Sequence, residues 1–287
     1  MGYGDEILAT AEAKEAKKVF PEAKILIGNG RKINPSVIYL NNPNILQGNS
    51  FDEKEDNIWI LNYLNNRPYI DYTKTNSERI IWDEKFSAKP GEIFLTDLEK
   101  STGSDAIKQA TKLWENNFSK RLKFSVVIEP NVKGVGYASR VGTTTVGDSN
   151  LNRDWGFDKW QKVVNALKDK IMFIQLFKGN VRKLSNVIQV DCNFRVALSI
   201  LNASNLFLGT NGGFTQAAAA LGIDAINIFG GWTSPSIVGY KFHTNFYIDV
   251  PGTPCGSKKI CNHCQDCMKQ IKTDDIISAL KQRINSK

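Results

Sequence analysis

Long apolar runs are missing from this chain. None approaches the ~20 residues that a helix needs to cross a bilayer, and the N-terminus has no basic region followed by an apolar stretch. A membrane-spanning helix and a visible secretory signal are therefore not expected, and the expected location is the cytoplasm. No GxGxxG follows a strand-like run, which argues against a nicotinamide-dinucleotide dehydrogenase. Internal repeats and heptads are absent as well, so solenoids and coiled coils drop out. A further absence lies at the N-terminus. Rossmann-like units open with a strand that feeds a glycine turn, yet here the turn at Gly2 to Gly4 has only Met1 before it. The expectation is a first unit without its first strand, or a true start upstream of Met1.

What the chain does contain is the composition of a soluble globular protein, with 41% hydrophobic residues over 287 positions, enough for two cores. Its net charge of +8 suits phosphate backbones and acidic lipid headgroups. The excess is spread thinly and is mostly lysine, so a nucleic-acid partner is a secondary reading.

Strand and helix signals fall into two series. Residues 5–20 read as a helix with Asp5 and Glu6 in its first turn, where carboxylates suit the dipole. Segments 23–27, 37–40, 68–72, 80–82 and 93–96 read as strands, 41–57 as an irregular surface segment, and 103–118 as a helix capped near Ser101 or Thr102. The apolar run 124–128 opens the second series. Strands follow at 171–177, 187–190, 206–208 and 225–229, with helices at 157–167, 194–202, 215–221 and a last one at 273–284 capped by Thr273. Such alternation predicts an α/β protein with a parallel, doubly wound sheet, divided into domains 1–120 and 121–287.

The richest unit runs from Asn205 to Gly230: strand, glycine turn, alanine-rich helix and second strand. Gly212 and Gly213 sit where the strand turns into the helix, and the free N–H groups of that first turn, through Thr215, suit a phosphate. The alternative is a plain packing turn. Asp5 also stands at a glycine turn that opens a helix, where a carboxylate serves either as a general base or as a cap. Glu6 is the second candidate base. Glu129 and Lys133 follow the first strand of the second series, and Arg153 precedes its first helix. Loops at the carboxyl ends of parallel strands meet the ligand, and Arg grips phosphate bidentately. Among the tryptophans, Trp160 lies at amphipathic spacing and belongs to the core, whereas Trp232, after Gly230 and Gly231, is a cleft candidate. His243 is expected to be structural.

Cysteine use is lopsided, with Cys192 alone and Cys255, Cys261, Cys264 and Cys267 within thirteen residues. Four thiols at that spacing suit a tetrahedral structural zinc that ties down a loop with little core of its own. Reduced thiols, disulfides and an iron–sulfur cluster are the alternatives.

Four motifs carry a resemblance. GDEILAT at 4–10, NRDWGFDKW at 152–160, GTNGGFTQAAAALG at 209–222 and the Cys267-Met268 pair together resemble the heptosyltransferase family, glycosyltransferase family 9. That resemblance implies the GT-B fold, two Rossmann-like domains facing a cleft, and a nucleotide-sugar donor used without a catalytic metal or other required cofactor. It implies that Asp5 is the catalytic carboxylate, that Arg153 contacts the donor diphosphate, and that Asn211, Gly212, Gly213 and Phe214 form the donor loop. Transfer with inversion to a hydroxyl of a cell-envelope glycan or glycolipid, as in lipopolysaccharide biosynthesis, is the implied reaction, with peripheral contact at the inner membrane. Asn211 stands where the family is usually acidic and Gln216 where it often has His, so the donor is not transferable from the best-known members. Two rivals stand beside this reading: a phage-type DNA glycosyltransferase, and a non-catalytic nucleotide-binding module that engages a partner through loop 255–268.

Overall fold

The computed structural model describes residues 2–46, 58–132 and 149–286. Helix α1 (Tyr3–Val19) places Asp5 and Glu6 in its first turn and Lys17 and Lys18 in its last, each charge opposing the dipole at its end. Its apolar residues Ile7, Leu8, Ala9 and Ala13 are buried. Strand β1 (Lys24–Gly28) follows and pairs in parallel with β2 (Ile58–Asn62), so the N-terminal half holds a short two-stranded sheet. The run 37–40, expected as a strand, is instead a single turn of 3₁₀ helix at Val37–Tyr39. Ser36 decides this by accepting the Ile38 N–H at 3.1 Å, a local bond that competes with extended backbone.

Segments 68–72, 80–82 and 93–96 form no strands. Of them only the isolated bridge Ile70↔Trp82 remains, with Arg79↔Ser257 just before the second run. Helix α2 (Asp97–Phe118) begins at the Thr96 cap, earlier than the expected start at Gly103. Thr96 Oγ1 accepts from Glu99 N–H at 3.2 Å and Glu99 Oε2 accepts from Thr96 N–H at 2.8 Å, a reciprocal capping box.

The second series builds six parallel strands: β3 (Ser125–Glu129), β4 (Met172–Phe177), β5 (Ile188–Asp191), β6 (Leu206–Thr210), β7 (Ala225–Gly230) and β8 (Thr244–Tyr247). Their order is β5-β4-β3-β6-β7-β8. The chain runs outward from β3 in one direction, returns, and runs outward again from β6, which is the doubly wound arrangement. In the central pair Glu129 lies opposite Gly209, so the carboxyl ends of β3 and β6 mark the switch point where such sheets open a ligand crevice.

Helices α4 (Phe194–Asn202) and α5 (Gly213–Leu221) cover one face, while α3 (Phe157–Leu167) and α8 (Thr273–Asn285) cover the other. The second face is filled by Trp155, Trp160, Val163, Leu167, Ile276 and Leu280. A short α6 (Pro235–Val238) and α7 (Asn262–Gln270) complete the chain. Helix α8 is capped at Lys272, with Thr273 as its first helical residue rather than its cap. No helix among the described residues is long and apolar enough to cross a membrane.

The N-terminal half docks on this sheet through helices. Helix α1 packs on α5, and α2 packs on α4. Arg195 of α4 is buried and joins the halves: its Nη2 donates to Glu99 Oε2 at 2.9 Å and to Phe94 O, and its Nη1 to Val37 O at 3.3 Å. Gly103 lets α2 approach so closely that an added Cβ would overlap the Ser199 carbonyl. Gly103→Ala should therefore destabilise the protein in urea melts despite a helix-propensity gain of about 1 kcal/mol, because overpacking against backbone costs roughly 1–3 kcal/mol. An unchanged midpoint would mean that α2 and α4 do not meet this tightly.

Candidate active site

A cavity of about 800 Å³ opens at the carboxyl ends of β3 and β6, between the sheet and the N-terminal half. Two helix starts form its floor. Gly4 of α1 and Gly213 of α5 face each other closely: a Cβ on Gly4 would lie 3.4 Å from the Gly213 Cα, and one on Gly213 3.5 Å from the Gly4 nitrogen. First-turn N–H groups have no partner within their own helix, and each N-terminus carries roughly +0.5 of a charge. Arg67, Arg153 and Lys178 also line the cavity. The wall thus favours an anion.

Asp5 lies on this floor. Its Oδ1 accepts from the Tyr69 hydroxyl, and its Oδ2 faces Arg67 Nη2 at 3.5 Å and Gly2 N–H at 3.4 Å. The Gly2 contact is the capping role that an aspartate at this position offers; the bonds from Tyr69 and Arg67 go beyond it and hold the carboxylate at the cavity. Burial, and then the negative charge of Asp5, push the Tyr69 hydroxyl well above the ordinary phenol range, so Tyr69 remains a donor.

Across the cavity, Arg153 ends a 3₁₀ turn (Ser149–Arg153). Its Nη1 donates to Asn211 O at 3.4 Å, its Nη2 to Asn150 Oδ1, and its guanidinium lies 4.8 Å from the centre of the Trp232 ring. Trp232 is fixed in turn by an edge contact with Trp82 at 5.0 Å and by its indole N–H, which donates to Ser257 O at 2.8 Å. Tyr3 stacks on Phe194 at 3.9 Å, with Phe214 next to it. These three rings form an apolar wall across the junction of the halves.

The residues named from sequence divide clearly. Asp5, Glu129, Arg153, Asn211, Gly212, Gly213, Phe214, Gln216 and Trp232 all line the cavity. Thr215 does not line it; its hydroxyl is buried, accepts from Gly212 N–H at 3.4 Å and meets Asn227 Oδ1 at 3.0 Å. Gln216 reaches the wall, but its amide is spent on Val238 O at 2.8 Å and on the Tyr240 hydroxyl. Glu6 turns away from the cavity and accepts from Ser36 Oγ. Lys133 lies outside the described residues. Trp160 is fully buried, as its spacing indicates, and buried His243 is bonded to Asn227 and Ile223 O. Sequence reasoning missed Tyr3, Arg67, Tyr69, Trp82 and Phe194, which line the cavity too. Arg67 and Tyr69 sit in a stretch of turns around Pro68 that no periodicity marks.

Near one wall lies a second group. The ligand atoms of Cys255, Cys261, His263 and Cys264 all fall within 4.8 Å of one another. The expected fourth ligand, Cys267, is replaced by His263; the Cys267 thiol is buried against Gly231 instead. Cys255 and Cys261 sulfurs are 3.6 Å apart, close to the ~3.8 Å that two 2.3 Å Zn–S bonds make at a tetrahedral angle. All five cysteines of the chain are free thiols. His263 Nε2 faces Pro251 O at 3.1 Å, which leaves Nδ1 as the lone-pair donor, the arrangement common at metal-bound histidines. Cys261 caps α7; burial opposes its ionisation, but hydrogen bonds from the Cys264 backbone and from neighbouring thiols prevail and lower its pKa. The set is a Cys3His group able to hold a metal ion.

No protein-family model matches the sequence, and no curated protein matches it. Among solved structures, a glycosyl transferase family 9 protein from Veillonella parvula aligns over 100% of this chain and 96% of its own, with a TM-score of 0.57 and 10% identity. E. coli ADP-heptose lps heptosyltransferase II aligns over 72% of this chain at 12% identity and a TM-score of 0.43. The chain spans about half of that enzyme, 55% of its length. The iron-containing dodecameric glycosyltransferase TibC from enterotoxigenic E. coli aligns over 57% of this chain and 45% of its own, at 12% identity and a TM-score of 0.39. The protein has the glycosyl transferase family 9 fold, as the full-length alignment shows.

Burial pushes the carboxyl of Glu129, at the switch point, from an ordinary 4.5 up to about 8. Between those values the folded protein holds a proton that the unfolded chain has lost, so stability falls as pH rises, by at most about 1.4 kcal/mol per unit. Glu129→Gln lacks that proton. Its stability relative to the parent should therefore increase from pH 5 to pH 8 in urea melts, whereas a constant difference would show that Glu129 titrates at its ordinary value.

Proposed function

We propose that this chain is a glycosyltransferase that moves a sugar from a nucleoside-diphosphate donor to an acceptor hydroxyl with inversion and without a catalytic metal. One observation carries the reading: a fixed carboxylate from one half, Asp5, and an anion-holding wall from the other, Arg153 with the α5 N-terminus, line the same cavity.

The chemistry follows from this pairing. Asp5 takes the proton of the acceptor hydroxyl while Tyr69 and Arg67 hold its carboxylate in place. The acceptor oxygen then attacks the anomeric carbon from the face opposite the phosphate, and the carbon–oxygen bond to the diphosphate breaks with its electron pair. The charge that appears on the leaving diphosphate meets Arg153 and the amides of Gly213 and Phe214, donors that need no reorganisation. Attack from the opposite face inverts the anomeric centre. The aromatic wall of Tyr3, Phe194 and Phe214 and the face of Trp232 offer stacking surfaces for a base or a sugar.

The Cys3His group fits a structural zinc. Four protein ligands leave no open position for substrate or water, so its contribution would be to folding rather than to the transfer.

A base in that position is worth about 10² to 10⁴ in rate. Asp5→Asn should lower transfer by that factor while donor affinity stays near the parent value, and Arg153→Ala should weaken donor binding roughly ten- to a hundredfold. A thermal-shift screen of ADP, UDP, GDP, CMP and TDP sugars identifies the donor, and calorimetry on the two variants reads the split. Lack of stabilisation of the folded protein by any of these sugars would overturn the assignment.

A further inference from the structure

The segment between the first two thiols of the Cys3His group is a strap laid along the cavity wall. At its start the Cys255 N–H donates to Gly231 O at 2.9 Å and the Gly256 N–H to Trp232 O at 3.0 Å. Next, Ser257 O accepts the Trp232 indole N–H at 2.8 Å. Asn152, fully buried and adjacent in the chain to Arg153, clasps the far end: its Nδ2 donates to Lys259 O at 2.9 Å, and its Oδ1 accepts the Cys261 N–H at 2.8 Å. The outer edge of the strap binds the N-terminal half, with Ile80 N–H donating to Gly256 O and Lys258 N–H to Glu78 O, both at 2.8 Å. Both ends of this strap are metal-ligand positions. Between them it touches the backbone of Trp232, the residue before Arg153, and the segment that carries Trp82.

We propose that one thiolate-preferring divalent metal at Cys255, Cys261, His263 and Cys264 locks this strap, and that the strap sets Arg153 and Trp232 for the donor diphosphate, with Asn152 as the positioning residue between metal and cavity. Metal occupancy and nucleotide affinity are then coupled. A metal fixes both ends of a short loop at once, removing the freedom that its backbone bonds would otherwise restrain alone. Arg153 and Trp232 form one stacked pair, so an error at either end of the strap reaches the guanidinium. Coupling of this kind is reciprocal, typically 5- to 150-fold in affinity: metal strengthens nucleotide binding, and nucleotide slows metal loss. The coupling rests on the donor-site reading above; the locking of the strap does not.

The test uses the full chain, metal-free and with one equivalent of zinc, with ADP and UDP as probes. Calorimetry reads their affinities, and hydrogen exchange reads the Ile80 amide, which lies on the opposite half from every ligand. Expected are one zinc per chain, slower exchange at Ile80 with zinc, and a roughly tenfold loss of nucleotide affinity when zinc is removed. Asn152→Ala should keep its zinc yet show the same loss of affinity. His263→Ala, which weakens the site at a partly exposed ligand, guards against unfolding of the metal-free protein and should give an intermediate result. Absence of zinc binding overturns the proposal, as does zinc that changes neither Ile80 exchange nor affinity. Protection of Ile80 in a zinc-loaded chain that binds neither these two nucleotides nor GDP, CMP or TDP would overturn the donor-site reading and the coupling, while supporting the lock.

Discussion

The contact on which this structure depends is the meeting of two helix starts, α1 and α5, at Gly4 and Gly213. A Cβ added at either position would only just reach van der Waals contact with the facing backbone, so the two helix starts run close together. With glycine at both positions, two helix starts lie side by side and two sets of unpaired N–H groups open on one cavity. The first turn of α1 also carries Asp5, so the same contact that concentrates positive dipole brings in a carboxylate. Tyr69 and Arg67 compensate that charge locally, leaving the α5 side free to hold an anion.

A division of labour between the halves follows. The bonds described for Asp5 come from residues 2 to 69, and those described for Arg153 come from its 3₁₀ turn, the Asn211 carbonyl and the Trp232 ring, which Trp82 of the N-terminal half braces in turn. Several contacts cross between them, among them the α1–α5 and α2–α4 packing, the buried Arg195, the Tyr3–Phe194 stack, the Trp82–Trp232 edge contact, and the strand-like bonds of Ile80 and Glu78 to the cysteine loop. A carboxylate and a cationic wall built on separate supports keep their spacing only as firmly as those crossings hold.

The sequence made the sheet legible where its physics is local. Buried strands such as Ser125–Glu129 and Ala225–Gly230 are short apolar runs with turns on both sides, and helices such as Phe157–Leu167 repeat every 3.6 residues. It was less legible where side chains override propensity. Ser36 turned an apolar triplet into a 3₁₀ turn, and the Thr96–Glu99 box, a signal present in the sequence, started α2 early. Helix α7 and strand β8 were not anticipated because the buried face of one is made largely of cysteines, read as a metal-binding loop, and the other is only half-buried. In the site, residues at element ends were readable from their turns: Asp5, Arg153, Gly212 and Gly213. Tyr69, Arg67 and Trp82 were not, since irregular backbone brings them to the cavity from far along the chain. His263 lay among four cysteines, and only its position in space shows that it, rather than Cys267, completes the group.

The strand order has a consequence for synthesis of the chain. Strand β3 is the first of the six to leave a ribosome, and Val126 pairs with Phe173 on one side and with Leu206 on the other. Its second neighbour is therefore made about eighty residues later. Until then one edge of this buried strand stands without its native partner, the situation in which nascent chains depend on chaperones or on speed. The local unit of β6, α5 and β7, by contrast, is complete within a short stretch of chain, and it supplies the edge onto which β3 finally closes.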